Sequence, residues 1–253
     1  AQCLVGSEMC IRDSRRCART VVVSGERHSR RLRQQSCTGG ALVRNRPHRR
    51  LITHRHTRSL RRLMFTVVAI TLPDFADGEA EMIVRALGSG AVDRVHLRKP
   101  GCEHRQMERL IAGIPAELHQ RLSLGDCQNL AVGTDIGGVH LNSRCHLAPS
   151  GFTGLISRSC HSIAETAGCD YVFLSPVFES ISKRGYRPTW TLDELAGRVD
   201  RHVYGLGGVT PERFEELARA GFGGAAMLGY IWQDFSDAKL QNILTHKTIC
   251  CNL

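Results

Sequence analysis

The stretch VYGLGGVTPERFEELARAGFGGAAMLG, residues 203–229, carries the pattern on which the fold prediction depends. It begins with an apolar run typical of a buried strand and continues through two adjacent glycines. Thr210 then stands at an N-cap position with Pro211 at the first helical position, and Gly221 follows the amphipathic segment where a helix would end. A second apolar run completes the stretch. The pattern predicts a strand–helix–strand unit, whose short connection requires a right-handed parallel crossover.

The same alternation of strand and helix patterns extends upstream to Met64. Helix starts are marked by capping boxes such as Ser162–Glu165 and Thr191–Glu194. Eight alternating units predict an α/β fold, a (β/α)₈ TIM barrel, with a doubly wound open sheet as the alternative. The 190 residues from Met64 onward fall slightly below the usual lower size of about 200 residues, so the loops must be short. The predicted strands are 65–70, 94–98, 121–124, 137–141, 154–159, 171–175, 202–207 and 223–228.

The formal charge of +10 is unevenly distributed along the chain. Residues 1–63 contain 16 arginines, no lysine and three acidic residues, which gives +13. The remaining residues contain 18 basic and 21 acidic side chains, which gives −3. The basic character therefore belongs to the first segment and does not by itself indicate a nucleic-acid partner for the rest.

Residues 1–63 show no sustained helical or strand period, and we interpret them as a disordered Arg-rich segment. Their opening CLVGSEMCIRDS resembles a translated sequencing-adapter read-through, so most of this segment is interpreted as non-native, with Met64 as the biological start. The alternatives are a basic nucleic-acid arm and an Arg-rich transit peptide. On this interpretation, the barrel domain comprises residues 64–253.

The cysteine content is high, but its pattern does not resemble a disulfide scaffold. The chain has 11 cysteines in 253 residues, without a CxxC pair or a secretory signal before them. We therefore expect reduced thiols and a cytoplasmic protein. No apolar run approaches the roughly 18 residues typical of a transmembrane helix, so no membrane partner is expected.

Cations and glycines dominate the ends of the predicted strands. In a TIM barrel the loops that follow the strands form the active site, and glycine turns after strands seven and eight commonly hold a phosphate. The pattern predicts an anion site at this end of the barrel. The residues at these positions are Arg98, Lys99, Asp126, His140, Asn142, Arg144, Ser159, His161, Lys183, Arg184, Gly207, Gly208 and Gly229.

Five motifs together resemble the thiamine phosphate synthase and thiazole tautomerase superfamily over about residues 64–235. The resemblance implies that Arg98 and Lys183 contact phosphate or pyrophosphate, and that the backbone around the three glycines holds thiazole phosphate. It also implies that Asp126 corresponds to a metal-binding carboxylate and His161 to the histidine that moves protons in the tautomerases. The motifs are VHLRKP (95–100), GVHLNSR (138–144), SRSCHSIAE (157–165), YVFLSPVFESISKRG (171–185) and residues 203–229.

The chain departs from the synthase pattern in three places. Gly125 stands where the synthases carry an asparagine before the metal-binding aspartate. Arg144 and Cys145 stand where the synthases carry a second metal carboxylate, and Pro100 stands where they carry a second lysine, for which the adjacent Lys99 is the candidate substitute. A guanidinium at position 144 could itself pair with pyrophosphate. Asp126 is interpreted either as a metal ligand or as a helix N-cap. Magnesium is therefore left open as a cofactor.

Tautomerisation needs only a base and an acid, and His161 is the candidate for both roles. It precedes the Ser162 cap, at the positive end of a predicted helix, where neutral imidazole is favoured. Strand alternation directs Cys160 away from the site, and His140 is interpreted as structural. Ser159 is added as a phosphate-binding candidate because it lies at the end of the same strand.

The sequence therefore predicts a thiamine-biosynthesis enzyme that binds a phosphorylated thiazole, with proton-transfer tautomerisation as the favoured reaction. The alternatives are Mg²⁺-dependent coupling of pyrimidine pyrophosphate to thiazole phosphate, and a non-catalytic barrel that senses thiamine intermediates. A homo-oligomer is left open, because family members commonly associate.

Overall fold

The computed structural model describes residues 64–179, 188 and 190–252. Within these residues, eight strands form a closed barrel in which each strand pairs in parallel with the next. β8 closes the barrel by pairing with β1, from Thr66 opposite Gly224 to Ala69 opposite Met227. The predicted TIM barrel is therefore confirmed, and the open-sheet alternative is wrong. The strands are β1 Thr66–Ile70, β2 Arg94–Leu97, β3 Leu122–Leu124, β4 Gly138–Leu141, β5 Leu155–Cys160, β6 Tyr171–Leu174, β7 Val203–Leu206 and β8 Gly224–Met227.

The connections between strands contain both α-helices and shorter 3₁₀ turns. The 3₁₀ turns cover Ala116–Arg121, Gln128–Ala131, Ile163–Glu165 and Pro211–Arg213. The α-helices are α1 Glu79–Gly88, α2 His104–Ala112, α3 Leu192–Leu195, α4 Phe214–Ala220, α5 Gly229–Trp232 and α6 Asp237–Cys250.

The two predicted capping boxes have different outcomes. Thr191 and Glu194 form one at the start of α3, with each side chain accepting the other's backbone N–H. Ser162 makes no side-chain cap bond, and only one 3₁₀ turn follows it. Gly168 adopts a φ of 93° just beyond that turn, a conformation that a continuing helix does not allow. The helix predicted after β5 is therefore wrong, and so is the argument that a helix dipole acts on His161.

Side chains of alternating direction divide the core into two layers. Outward-facing apolar residues of the strands pack against the helices, as Val95 and Leu97 of β2 do. Inside the barrel, Val68, Phe173 and Ala226 belong to a smaller apolar cluster. Because side chains fill this interior, the barrel is a packed core and not a pore.

Polar side chains complete the barrel interior. The Nε2 atom of His96 lies 2.6 Å from the Tyr171 hydroxyl, and burial lowers the pKa of His96 well below its ordinary value, with His140 as a smaller cause. Arg94 donates to the Ser123 hydroxyl at 3.1 Å. The buried polar groups are therefore paired with one another, as an interior without bulk water requires.

The structure also bears on the expectations for the cysteines and for membrane-spanning helices. Cys160 is fully buried and burial raises the pKa of its thiol, so its predicted direction away from the site is confirmed. The cysteines among the described residues are free thiols. No helix in the described part of the chain is long and apolar enough to cross a bilayer. The interpretation of residues 1–63 lies outside the described residues.

Candidate active site

The carboxyl ends of the eight strands meet at one mouth of the barrel, and most of the predicted site residues lie there. Arg98 follows β2, Asp126 follows β3, Arg144 follows β4 and His161 follows β5. Gly207 and Gly208 follow β7, and Gly229 opens α5 after β8. Parallel strands bring these loops together although they are far apart in sequence. Lys183, the remaining predicted phosphate ligand, and Arg184 lie outside the described residues.

Asp126 and Arg144 form an ion pair across the loops that follow β3 and β4. Arg144 donates to Oδ1 of Asp126 from Nη2 at 2.7 Å and from Nε at 3.1 Å. The other oxygen, Oδ2, accepts the backbone N–H of Lys99 at 3.0 Å. Asp126 does not cap a helix, because Cys127 occupies the N-cap position of the turn that follows. The N-cap interpretation is therefore wrong, and both carboxylate oxygens are already engaged.

Arg98 lies close enough to this pair to interact with it. Partial burial lowers the pKa of Arg98 from its ordinary value, and the Arg144 guanidinium lowers it further, whereas Asp126 raises it. Two guanidinium groups and one carboxylate therefore share this side of the mouth. Guanidinium groups are suited to binding an anion.

Lys99 does not reach the mouth, which corrects its predicted role as a phosphate ligand. Its Nζ donates to both carboxylate oxygens of Glu79, at 2.6 and 2.8 Å, and to the carbonyls of Leu72 and Asp74, at 2.9 and 2.7 Å. The side chain has no exposed surface. Because an ammonium has three protons to donate, these acceptors already engage all of them. Lys99 instead ties the loop after β1 to the start of α1.

His161 has a defined hydrogen-bond arrangement at the mouth. Its Nδ1 lies 2.9 Å from the carbonyl oxygen of Ser175, which can only accept a hydrogen bond. Nδ1 therefore carries a proton, and in the neutral ring Nε2 has the free lone pair. The backbone N–H of His161 donates to Glu165 at 3.0 Å, which holds the residue in place. The ring is exposed to the mouth and has the tautomer that a base acting through Nε2 requires.

Positions 207 and 208 need glycine for two reasons, their backbone conformation and the close packing of the chain that follows β6. Their φ angles are 93° and 65°. A Cβ at Gly207 would lie 3.0 Å from Pro176, and one at Gly208 would lie 2.3 Å from the carbonyl oxygen of Glu179. The glycines thus allow the segment after β6 to pack on the end of β7. That segment includes Ser175, so His161 and the glycines share one wall of the mouth.

Gly229 differs from the other two glycines because the space beside it is empty. A Cβ built there meets no atom within 4 Å. The residue follows Leu228 at the end of β8, where the barrel opens. Its predicted contact with phosphate remains a prediction that substitution can test.

We expect Gly229→Ala to weaken phosphate binding without destabilising the fold. A methyl group would enter the open space that the ligand is predicted to use, and overpacking of this kind corresponds to a loss of roughly tenfold in affinity. Titration with thiazole phosphate, together with thermal unfolding, measures both quantities. Gly208→Ala is the contrasting variant, because its positive φ and backbone collision should lower stability by about 1–3 kcal/mol. Unchanged affinity in Gly229→Ala would remove this residue from the phosphate site.

His140 lies at the base of the mouth and connects two serines of β5. Its ring nitrogens lie 2.9 Å from the Ser157 hydroxyl and 3.1 Å from the Ser159 hydroxyl. Burial lowers the pKa of His140 to about 4, with Arg98 as a second cause. The ring is therefore neutral at pH 7 and orients the exposed Ser159. Sequence reasoning treated His140 as structural, although the alternation that directs Val139 outward directs His140 into the barrel.

The donor groups at the mouth do not fit the paired-carboxylate magnesium site to which Asp126 was compared. Mg²⁺ requires oxygen ligands with free lone pairs, and Asp126 is engaged by Arg144 and Lys99. No group of three or more His, Cys, Asp or Glu side chains in residues 64–179, 188 and 190–252 is arranged to hold a metal. The guanidinium of Arg144 occupies the space beside the carboxylate.

Comparison with known proteins identifies the family of the barrel. A model of the family described as thiamine monophosphate synthase matches residues 67–231. The thiamine-phosphate synthase of Salinibacter ruber is 30% identical over 168 residues, which cover 60% of this chain and 74% of that protein. The putative thiamine-phosphate synthase 2 of Aquifex aeolicus is 26% identical over 166 residues, covering 60% and 89%.

Solved structures of thiamine phosphate pyrophosphorylases also superpose on this chain. The thiamine phosphate pyrophosphorylase of Bacteroides thetaiotaomicron superposes with a TM-score of 0.62 at 31% identity, covering 73% of this chain and 95% of that one. A thiamine phosphate pyrophosphorylase from Pyrococcus furiosus has a TM-score of 0.57 at 18% identity, covering 75% and 98%, and supports the fold alone.

Proposed function

Because the chain belongs to the thiamine monophosphate synthase family, we propose that it is an enzyme of thiamine biosynthesis that tautomerises a phosphorylated thiazole. The observation that carries the proposal is the state of His161. Its Nδ1 proton is directed to the Ser175 carbonyl at 2.9 Å, which leaves Nε2 as a base at the mouth. The reaction requires only movement of a proton between two atoms of one substrate.

The chemistry follows from that arrangement. Nε2 of His161 removes a carbon-bound proton from the thiazole precursor, and the electron pair of the broken C–H bond moves into the ring system. The resulting imidazolium keeps its Nδ1 hydrogen bond to Ser175, which becomes stronger when the ring is charged. The same Nε2 proton is then delivered to a different atom of the substrate, and the histidine returns to its neutral form. The proton balance closes without a co-reactant.

The remaining mouth residues would bind and orient the substrate. We assign the phosphate to the corner formed by Gly207, Gly208 and Gly229, next to the Ser175 segment that positions His161. Arg98 supplies positive charge from the loop after β2, and Ser159 supplies a hydroxyl oriented by His140. Lys183 is proposed as a further phosphate ligand. Holding a substrate against a fixed base supplies much of the rate enhancement of such reactions.

A second candidate function is the coupling of a pyrimidine pyrophosphate to thiazole phosphate. The names of the relatives favour it, since the Salinibacter ruber protein at 30% identity is a thiamine-phosphate synthase. In that reaction, Arg98 and Arg144 would bear the charge of the departing pyrophosphate. Among the described residues, no second carboxylate joins Asp126 in a group that could hold a metal, which favours tautomerisation over coupling.

Product analysis of the full chain separates the candidates. The protein is incubated in D₂O with the non-aromatic tautomer of thiazole phosphate, and separately with both phosphorylated halves, each with excess Mg²⁺ or with EDTA. Proton NMR should show formation of the aromatic thiazole phosphate in both metal conditions. Thiamine phosphate formed only with Mg²⁺, without tautomerisation, would reject the proposal in favour of coupling. Thiazole phosphate binding without any product would identify a non-catalytic binder.

A further inference from the structure

Both oxygens of the Asp126 carboxylate accept hydrogen bonds from the surrounding loops. Its side chain is 8% exposed, whereas that of its partner Arg144 is 45% exposed. Nε and Nη2 of Arg144 both bind Oδ1, and the Lys99 backbone N–H binds Oδ2. The buried carboxylate therefore acts on the guanidinium, and the guanidinium is the member of the pair that a ligand can reach.

Arg144 is held in place by its own loop. The side-chain oxygen of Asn142 accepts the backbone N–H of Arg144 at 2.9 Å and that of Cys145 at 3.2 Å. The side-chain nitrogen of Asn142 donates to the carbonyl of Gly125, immediately before Asp126. Asn142 thus joins the loop after β4 to the loop after β3. The guanidinium is positioned before a ligand arrives, so little ordering of the side chain is needed on binding.

Arg98 lies near the Arg144–Asp126 pair. Burial is the main cause that lowers the pKa of Arg98, and the Arg144 guanidinium lowers it further, whereas Asp126 raises it. An anion bound by the exposed Arg144 guanidinium would form charge-assisted hydrogen bonds with it and lessen its repulsion of Arg98. Guanidinium groups suit phosphate oxygens in particular, because their planar donors match the spacing of two such oxygens.

We infer that Arg144, oriented by Asp126, replaces a divalent cation at this mouth and binds phosphoryl oxygens together with Arg98 in the absence of metal. The inference deepens the proposed function, because it concerns the same mouth and its substrates, but it holds for either reaction. Asp126 is a positioning residue in this arrangement, not a metal ligand. The site lies on the loops of β2–β4, whereas the glycine corner belongs to β7 and β8, so a substrate can present separate anionic groups to each.

The test is calorimetric binding of inorganic pyrophosphate to the full chain, in EDTA and in excess Mg²⁺. Binding should be at least as tight in EDTA. Arg144→Ala should weaken binding in EDTA by about tenfold to a hundredfold, the usual effect of losing charged hydrogen bonds. Arg85→Ala is the matched control, because it breaks an ion pair of the same 2.7 Å length, to Asp237, away from the mouth. Circular dichroism checks that each variant is folded.

A charge reversal sharpens the test. Arg144→Asp restores a carboxylate beside Asp126, so pyrophosphate binding in EDTA should be lost, with any remaining affinity requiring Mg²⁺. Pyrophosphate binding by the unmodified chain that disappears in EDTA would overturn the inference, as would Arg144→Asp binding in EDTA as tightly as the unmodified chain. Because the readout is binding and not turnover, either result is separate from the fate of the proposed tautomerisation.

Discussion

Replacing His161 by asparagine should reduce tautomerisation by about two to four orders of magnitude, the usual contribution of a general acid–base group. The asparagine amide nitrogen can occupy the position of Nδ1 and keep the hydrogen bond to the Ser175 carbonyl. The substitution removes the far side of the ring, including Nε2, and keeps a donor at the Nδ1 position, so the local structure should persist. We expect the loss in kcat with little change in KM, because the glycines and Arg98 still bind the substrate. Proton NMR of the conversion of the non-aromatic tautomer to aromatic thiazole phosphate measures the rate.

His202→Asn is the matched control. It tests whether the loss of rate is specific to His161 or follows from removing any exposed histidine. His202 also directs Nδ1 toward an acceptor, the carboxylate of Asp200, and is 41% exposed. It precedes β7 at the opposite end of the barrel, so His202→Asn should retain the full rate. If His161→Asn also retained it, His161 would be excluded as the base. Loss of thiazole phosphate binding in His161→Asn would instead assign the residue to binding.

The fold could be predicted because its signals are local. Turn residues such as Thr210 and Pro211 lie where a 3₁₀ turn leads into α4, and Gly221 ends that helix with a φ of 101°. Strand alternation indicated correctly that Cys160 faces away from the mouth. The predicted helix after β5 was wrong because only one turn forms there. The chain beyond Glu165 does not continue that turn, and it includes Gly168 with a positive φ. A capping box marks a helix start and carries little information about how far the helix extends.

The contacts within the site could not be predicted, because they depend on register between strands. Asp126 and Arg144 are separated by 18 residues and meet because Leu124 of β3 lies opposite Val139 of β4. Nothing in the sequence around Arg144 distinguishes a guanidinium paired with a buried carboxylate from one that faces solvent. The same holds for Lys99, whose partner Glu79 lies 20 residues earlier, at the start of α1.

Breaking the buried Lys99–Glu79 pair should strongly destabilise the fold. We expect Lys99→Met to lower the free energy of unfolding by about 3–5 kcal/mol, because it leaves the buried Glu79 carboxylate without a counter-charge. The carbonyls of Leu72 and Asp74 also lose their donor. A loss of this size is a large fraction of the total stability of a typical domain, roughly 5–15 kcal/mol. Urea denaturation of the full chain measures it.

The exposed pair between Arg85 and Asp237 provides the control, since its side chains are 43% and 84% exposed. Arg85→Met should cost less than about 1 kcal/mol, because solvent screens such pairs. The double variant Lys99→Met, Glu79→Leu should recover part of the loss, since removing both charges avoids an unpaired carboxylate. Recovery should be incomplete because the two carbonyls remain without a donor. If Lys99→Met were as stable as Arg85→Met but lost phosphate binding, Lys99 would be a ligand residue after all, and the loop after β1 would have to open to expose it.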